Sequence, residues 1–566
     1  MNTQAKAQPQ KNSSLYLRTL YTRLLGQNSG NWSILLISGG VGLLMAMPAV
    51  YIIIKAIGAN PAVWAKLFSS SIPTLLLSTI GLTVSVTALA ILIAVPAAWL
   101  VTMTDLPGRK TWQWLFAVPL AVPPYIGSFA YITLLGPRGI VQQKLSALLG
   151  LAPHQLNIPS IYSFGGVLII MSLFTYPYIF LLTSASLRSQ NQSLIDAAKA
   201  SGMRMKRIIL RVILPLVRPA IAAGSLLVAL YVLSDFGAIS LMRYPTFTSA
   251  IYQQLTGRYD LAAAASLSSV LMILTVIVIW FESRSRNKAK YYQTTGSYRP
   301  PEILRLGKWR PLALAFILIV FTAALILPLG ILIYWAFLGL NESALNLDFW
   351  QYAINSITTS GIAATAGVFL ALPVVYLATR HKSLVSRFLL RISYAGYALP
   401  GVIVGLGMVF VFNASIPLLY GTVFVLILGY VVRFLPQSLQ SEESALAAIS
   451  PNIEEAAKNF GYSTHGVLRR VTVPLILPAM AASWSLIFIS SMKELAATLL
   501  LRPAGYDTLA VRVWTDASEG FYTAAAPPAL LLVLVSTIPL AIITRRAQIS
   551  GRRRRLGEIE NVGSTT

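Results

Sequence analysis

The chain has 566 residues, 56% of them apolar and only 11% charged, with a net charge of +26. Soluble domains carry roughly 25% charged residues, so this composition excludes an ordinary water-facing surface, and it is far too apolar for a disordered chain. Cysteine is absent, which removes disulfides and thiolate metal sites, and the three histidines (His154, His381, His465) are too scattered for an imidazole cluster.

A lipid-spanning helix needs about 20 mostly apolar residues. The first 31 residues are polar and precede an apolar run long enough to stay in the membrane, so no cleaved secretory signal is expected. In chain order, hydropathy predicts spans at 32–54, 74–101, 112–135, 160–186, 216–236 and 258–281. A basic stretch, 283–310, follows as a linker. Six more spans are predicted at 311–338, 354–378, 389–412, 418–440, 475–498 and 523–544, then a basic tail, 545–566. Asn413 and Pro417 mark the turn that splits the uncharged stretch 392–432.

Twelve spans place both termini on one side. With Arg218, Arg258 and Arg391, at the ends of spans, counted with the adjoining loops, that side holds 34 of the 44 Lys and Arg residues and the other holds 8, and Arg433 and Lys493 fall deeper inside spans. This asymmetry predicts cytoplasmic termini, and it accounts for the net charge without nucleic acid. The Arg552–Arg555 run reads as an anchor for anionic lipid.

The two halves repeat. PAAW at 96–99 matches PVVY at 373–376, and Pro123 matches Pro400, both displaced by 277. Further on the displacement is 259: DAAKASGMRMKRIILRVILP at 196–215 matches EAAKNFGYSTHGVLRRVTVP at 455–474. The first half therefore carries 18 extra residues, expected in the loop 136–159. Six spans per half make the repeat parallel, with a pathway at the interface of the halves.

Each repeated block reads as a cytoplasmic elbow. Asp196 and Glu455 are expected at the start of a short helix, where a carboxylate complements the dipole. Ala197, Ala198, Ala456 and Ala457 are small enough for another backbone to approach. Gly202 and Gly461 permit the positive φ that ends the helix, and Pro215 and Pro474 suit the first turn of the next one.

Repeat symmetry also relates Asp235 to Glu494 and Arg243 to Arg502. Glu494 lies 20 residues after Pro474, about 30 Å of helix at ~1.5 Å per residue, so both carboxylates are expected near the outer ends of their spans. Two readings stay open. Lys493, Glu494 and Arg433 form structural ion pairs, or Asp235 and Glu494 line an outward cavity and guide a cation. Arg243 and Arg502 either pair locally or dock an acidic patch of an outside partner. No Gly-x4-Gly-Lys-[Ser/Thr] phosphate loop occurs, so nucleotide binding by that route needs another subunit. No nucleophile–base set emerges, so the chain is not read as an enzyme.

The repeated block resembles the EAA loop of ABC importer permeases, with Asp196 standing where the pattern has Glu. The resemblance implies an all-α polytopic membrane protein with about twelve transmembrane helices. These form two tandem type I permease domains, 32–282 and 311–544, between segment 1–31, linker 283–310 and tail 545–566. It implies that Asp196, Ala197, Ala198, Gly202, Glu455, Ala456, Ala457 and Gly461 contact two copies of a cytoplasmic ATPase that uses ATP and Mg, with no cofactor held by this chain. A periplasmic binding protein would deliver the substrate at the bacterial inner membrane. Segments LYVLSDFGAISLMRYPTFTSAIY (230–252) and MKELAATLLLRPAGYDTLAVRVW (492–514) look like those of fused ferric-iron permeases. Fused thiamine and 2-aminoethylphosphonate permeases share the architecture, and a twelve-helix secondary transporter is the rival from another class.

Overall fold

The computed structural model describes residues 32–137, 139–150, 159–286, 302–340, 347–381 and 383–537. The expected segment 1–31, linker residues 287–301, the tail 545–566 and His154 lie outside the described residues. Among those described, the fold is helical apart from one parallel bridge, Thr104 to Leu304.

Nine described helices are long and apolar enough to cross a membrane: Trp32–Ile57, Ile72–Met103, Phe164–Arg188, Met205–Ser234, Leu261–Phe281, Gly307–Leu340, Asp348–Arg380, Val423–Ala447 and Thr464–Met492. Each corresponds to an expected span. Their outer faces expose Leu43, Leu77 and Phe337, each by more than two thirds, which suits contact with hydrocarbon rather than water.

Two expected spans are corrected. The span 112–135 is broken: Arg109–Ala121 and Pro124–Leu149 meet at 88°. Pro123 and Pro124 have no N–H for the helix ladder, and they hold Val122 (ψ 114) and Pro123 (ψ 139) extended. The span 389–412 is interrupted at the repeat-related place, where Leu399 (ψ 118) and Pro400 (ψ 147) separate Ala395–Ala398 from Gly401–Ser415. Of the last span, Tyr522–Thr537 is described as helix, and the remainder to 544 lies outside the described residues.

The repeat extends to the boundaries of several elements. Displacement by 259 carries Phe164–Arg188 onto Val423–Ala447, Gln192–Ala200 onto Pro451–Asn459, and the π-turn Ile209–Ile213 onto Leu468–Thr472. The additional residues of the first half fall beyond Pro124–Leu135, from the end of the bent pair onward, where Ile140–Leu149 forms a helix of its own.

The halves interlock through their first spans. Trp32–Ile57 lies between Leu261–Arg286 of its own half and Gly401–Ser415, Leu347–Arg380 and Leu384–Ser393 of the other. A Cβ on Gly407 would fall 2.6 Å from Pro48 Cβ, so this crossing depends on glycine. Reciprocally, Gly307–Leu340 packs on the first half. Tyr131 Oη donates to Ala323 O at 2.6 Å, and the Trp112 and Phe321 rings sit 5.4 Å apart. Helices in lipid associate by close packing rather than by hydrophobic burial, and these approaches supply it.

Candidate translocation cavity and coupling elbows

Both elbows are capped short helices. Asn191 accepts from Ser193 N ahead of Gln192–Ala200, and Ser450 accepts from Asn452 N ahead of Pro451–Asn459. Each ends in a Schellman turn. Met203 N bonds Ala198 O and Gly202 N bonds Lys199 O, while Tyr462 N bonds Ala457 O and Gly461 N bonds Lys458 O. Gly202 (φ 76) and Gly461 (φ 88) take the left-handed conformation expected of them.

Two expectations about the elbows are corrected. Asp196 and Glu455 are the fifth residues of nine-residue helices, beyond the first turn where the dipole favours a carboxylate. Asp196 instead accepts from Gln192 Nε2 at 2.8 Å. Pro215 and Pro474 do not open new helices. Helix has already begun at Met205 and Thr464, and each proline follows a π-turn in which Leu214 N bonds Ile209 O and Val473 N bonds Leu468 O. The wider turn sits where proline withholds an N–H.

The elbows are anchored differently. Ile195 and Glu454 are repeat mates, and both are buried. Glu454 Oε2 lies 3.1 Å from Arg380 Nε, and Thr472 Oγ1 donates to Oε1 at 3.0 Å. Arg380 also donates to Leu446 O and Ile449 O. The first-half counterpart of Arg380, at displacement 277, is the buried Met103. The first elbow is instead strapped by the linker. Glu302 N bonds Gln192 Oε1, Glu302 pairs with Lys199 at 2.8 Å, and Leu304 N bonds Met103 O. Ala197, Leu194, Ala456, Glu455 and Ile453 remain exposed, Asp196 and Ala457 are half-buried, and Ala198 is buried.

Between the halves lies a cavity of about 240 Å³. The two broken helices open onto it through Val122–Tyr125 and Leu399–Pro400, a place where irregular backbone at membrane depth is tolerated. Asp235 and Glu494 both line it. Each follows the end of a long span and caps a short helix. Asp235 Oδ1 accepts from Ala238 N and Ile239 N at 3.1 and 3.2 Å, and Glu494 Oε1 accepts from Ala497 N at 3.1 Å.

The pairings left open by the sequence are now resolved. Glu494 Oε2 pairs with Arg433 Nε at 2.8 Å. Arg433 donates through Nη1 to Leu399 O and through Nη2 to Ser234 Oγ of the first half. Lys493 joins neither carboxylate, and its Nζ donates to Leu120 O of the first half at 3.1 Å. A Cβ on Gly401 would lie 2.3 Å from Glu494 Oε1, so glycine there makes room for the pair.

Arg243 and Arg502 both lie just beyond the short helices but in different backbone, Arg243 in a turn at φ 53 and Arg502 extended as the cap of its helix (φ −63, ψ 140). The Arg243 guanidinium lies 5.4 Å over the Tyr162 ring, whereas Arg502 forms an ion pair with Asp507, which also faces Arg512 at 3.6 Å. Just outside the spans, burial and nearby Lys458 hold His381 below its usual range, and at two span ends His465 Nε2 lies 3.1 Å from Ser33 Oγ. Sequence reasoning missed Glu454, Ser234 and Tyr125. Glu454 carried a signal, a charge where the repeat mate is isoleucine. Tyr125 carried none beyond its place after the proline pair.

The profile of the family described as the binding-protein-dependent transport system inner membrane component matches residues 90–287 and again 363–556. The chain belongs to this family. The Fe(3+)-transport system permease protein FbpB 2 of Haemophilus influenzae is 32% identical over 514 residues, 90% of this chain and 97% of that protein. The ferric transport system permease protein FbpB of Actinobacillus pleuropneumoniae is 24% identical, covering 74% of this chain and 63% of its own length. A Salmonella typhimurium protein whose name assigns it to 2-aminoethylphosphonate transport is 28% identical over 37% of this chain and 80% of its own length. The permease is thus a multi-span inner-membrane subunit of an ABC importer, a family that works with an ATPase and a periplasmic binding protein.

Proposed function

We propose that the permease carries ferric iron, received from a periplasmic ferric-binding protein. The observation that carries this reading is the full-length match to the Haemophilus ferric permease. Iron(III) is a hard cation that prefers oxygen ligands. The cavity offers Asp235, Glu494 and the hydroxyl of Tyr125, with no cysteine in the chain.

The elbows 196–215 and 455–474 dock two ATPase copies, through Asp196, Ala197 and Gly202 and through Glu455, Ala456, Ala457 and Gly461; Ala198, expected among these contacts, is buried and offers a partner no surface. Their repeat-related exposed apolar residues, Leu194 and Ile453, support this. ATP and Mg act in those partners, this chain performs no catalysis, and both termini are cytoplasmic as the 34-to-8 charge split suggests. ATP binding draws the elbows together and rocks the halves so that the cavity faces outward. Asp235 and Glu494 form the pathway, and hydrolysis resets it. Arg243, whose guanidinium lies over the Tyr162 ring and has no ion pair among the described residues, is the better of the two arginines for docking the binding protein, since Arg502 is engaged by Asp507.

A second reading is 2-aminoethylphosphonate, favoured by the half-length relative and by the cations Arg433 and Lys493 in the cavity. Uptake of radiolabelled iron, 2-aminoethylphosphonate and thiamine by cells lacking and regaining this gene separates them. Restored iron uptake alone supports the ferric reading, and restored phosphonate or thiamine uptake replaces it. Leu194→Glu with Ile453→Glu should abolish co-purification of the ATPase. Retained ATPase in that variant would place the contact elsewhere.

A further inference from the structure

The two cavity carboxylates occupy matching positions in different surroundings. Displacement by 259 carries Asp235 onto Glu494, Ser234 onto Lys493 and Phe174 onto Arg433, and all six line the cavity. Pro177 and Pro436 fall at the same displacement inside the helices that carry Phe174 and Arg433, which fixes the register. The first half therefore has a phenylalanine where the second has an arginine. Phe174 turns its ring onto the broken helix, so close that a Cβ on Gly127 would collide with it. Arg433 reaches Glu494 at 2.8 Å.

The exchange divides the carboxylates. Glu494 has a full counter-charge. Asp235 has no ion pair among the described residues; both hydrogen bonds to its carboxylate fall on Oδ1, and Oδ2 has none there. Arg433 also crosses the interface, since its Nη2 donates to Ser234 of the other half while its remaining contacts stay within its own.

We propose that Arg433 is a tethered counter-cation that sets the charge selectivity of the pathway. In the empty permease it occupies Glu494, the carboxylate a passing cation would otherwise take, and it leaves Asp235 open to receive substrate. This rests on the reading that the cargo is a cation. A lone carboxylate in a membrane interior is costly, so Glu494 stays paired until something with a stronger field than a guanidinium displaces it. A multivalent hard cation has that field, and a sodium ion does not. When the halves rock apart, Arg433 loses Ser234 but keeps Glu494, so opening alone does not bare the second carboxylate.

The test uses the complete complex of permease and ATPase in proteoliposomes, with radiolabelled sodium leak in the absence of binding protein as the first readout. Arg433→Gln bares Glu494 and should raise the leak several-fold. Arg433→Lys keeps a cation there and should not, and neither should the double variant Arg433→Gln with Glu494→Gln. A leak from Arg433→Gln no greater than wild type overturns the proposal. So does a double variant that leaks as much as Arg433→Gln, because the leak then comes from damaged packing. If Arg433→Gln fails to assemble, Arg433→Lys, which keeps both carboxylates and a tethered cation, decides by uptake of radiolabelled iron(III). It should lose no more than a few-fold, and adding Asp235→Asn should abolish what remains. Uptake abolished in Arg433→Lys alone, or surviving the added Asp235→Asn, overturns the assignment of Asp235 as the open carboxylate. The sodium readout uses no iron, so its failure is distinct from failure of the ferric reading.

Discussion

Arg380 and Glu454 join the C-terminal end of Asp348–Arg380 to the second elbow, Nε to Oε2 at 3.1 Å, with Glu454 buried and Arg380 nearly so. Removing one partner of such a pair leaves an uncompensated buried charge, at a cost of about 3–5 kcal/mol. Arg380→Ala should therefore loosen the elbow, seen as faster hydrogen exchange across 451–462, while 192–203 is unchanged. The first half shows an apolar solution at the same place, Met103 with Ile195. Arg380→Met with Glu454→Ile should accordingly recover most of the lost protection. A double variant as loose as Arg380→Ala would mean that the two halves are not interchangeable here.

His381 follows Arg380 directly, and its Nε2 is buried without a hydrogen-bond partner among the described residues. Burial first, and Lys458 second, lower its pKa below the usual 6.5. The folded protein thus binds fewer protons at this site than the unfolded chain, and stability rises with pH through this window. The contribution is complete above the unfolded value and is lost as pH falls from about 6.5 toward the lowered folded value. Exchange protection of the second elbow should fall between pH 7.5 and pH 5.5 (both about a unit from that value). His381→Gln should flatten the dependence. An acid response unchanged by His381→Gln would assign it to another group.

The nine long spans, the elbows and the paired carboxylates were legible because each rests on local pattern: apolar length, a glycine needing positive φ, a charge inside a span. The breaks at Pro123 and Pro400 were half legible. Both prolines stood out as repeat mates, but the residues around them are apolar whether the helix runs straight or bends into a cavity. The crossing of Trp32–Ile57 onto the second half left no local trace, since Pro48 against Gly407 joins residues far apart in sequence. The Arg433–Glu494 pair shows the limit most sharply. Both residues were singled out, but Lys493 was an equal candidate until its Nζ was found on Leu120 O.

Arg243 and Arg502 are repeat mates that should behave differently. Arg502 pairs with Asp507, which also faces Arg512, and Arg512 pairs with Asp516 at 2.7 Å. Arg502→Ala should mainly lower thermal stability, with Asp507 left facing Arg512 alone. Arg243 is held by the Tyr162 ring. Arg243→Glu should weaken binding of the periplasmic partner about tenfold, as expected for about 1.4 kcal/mol, with a loss that shrinks as salt is raised. Equal losses of partner affinity in both variants would show that the local ion pair does not protect Arg502 from that role.

The described part of the linker straps the first elbow. Backbone bonds from Leu304 N to Met103 O and from Asp105 N to Leu304 O hold residues 302–306 beside the loop that ends Ile72–Met103, and Leu306 N bonds Asp105 Oδ1. From there Glu302 N reaches Gln192 Oε1 in the first elbow. The ion pair of Glu302 with Lys199 is solvent-exposed, so the backbone bonds carry most of the hold. Leu304→Pro removes the N–H that bonds Met103 O and should release the strap. Exchange should then quicken across 192–203 but not across 451–462, the reverse of the Arg380→Ala pattern. Glu302→Ala alone should change little. If Leu304→Pro leaves the first elbow as protected as before, the strap is passive and the elbow is held by Ile195 and Ala198 against the span ends.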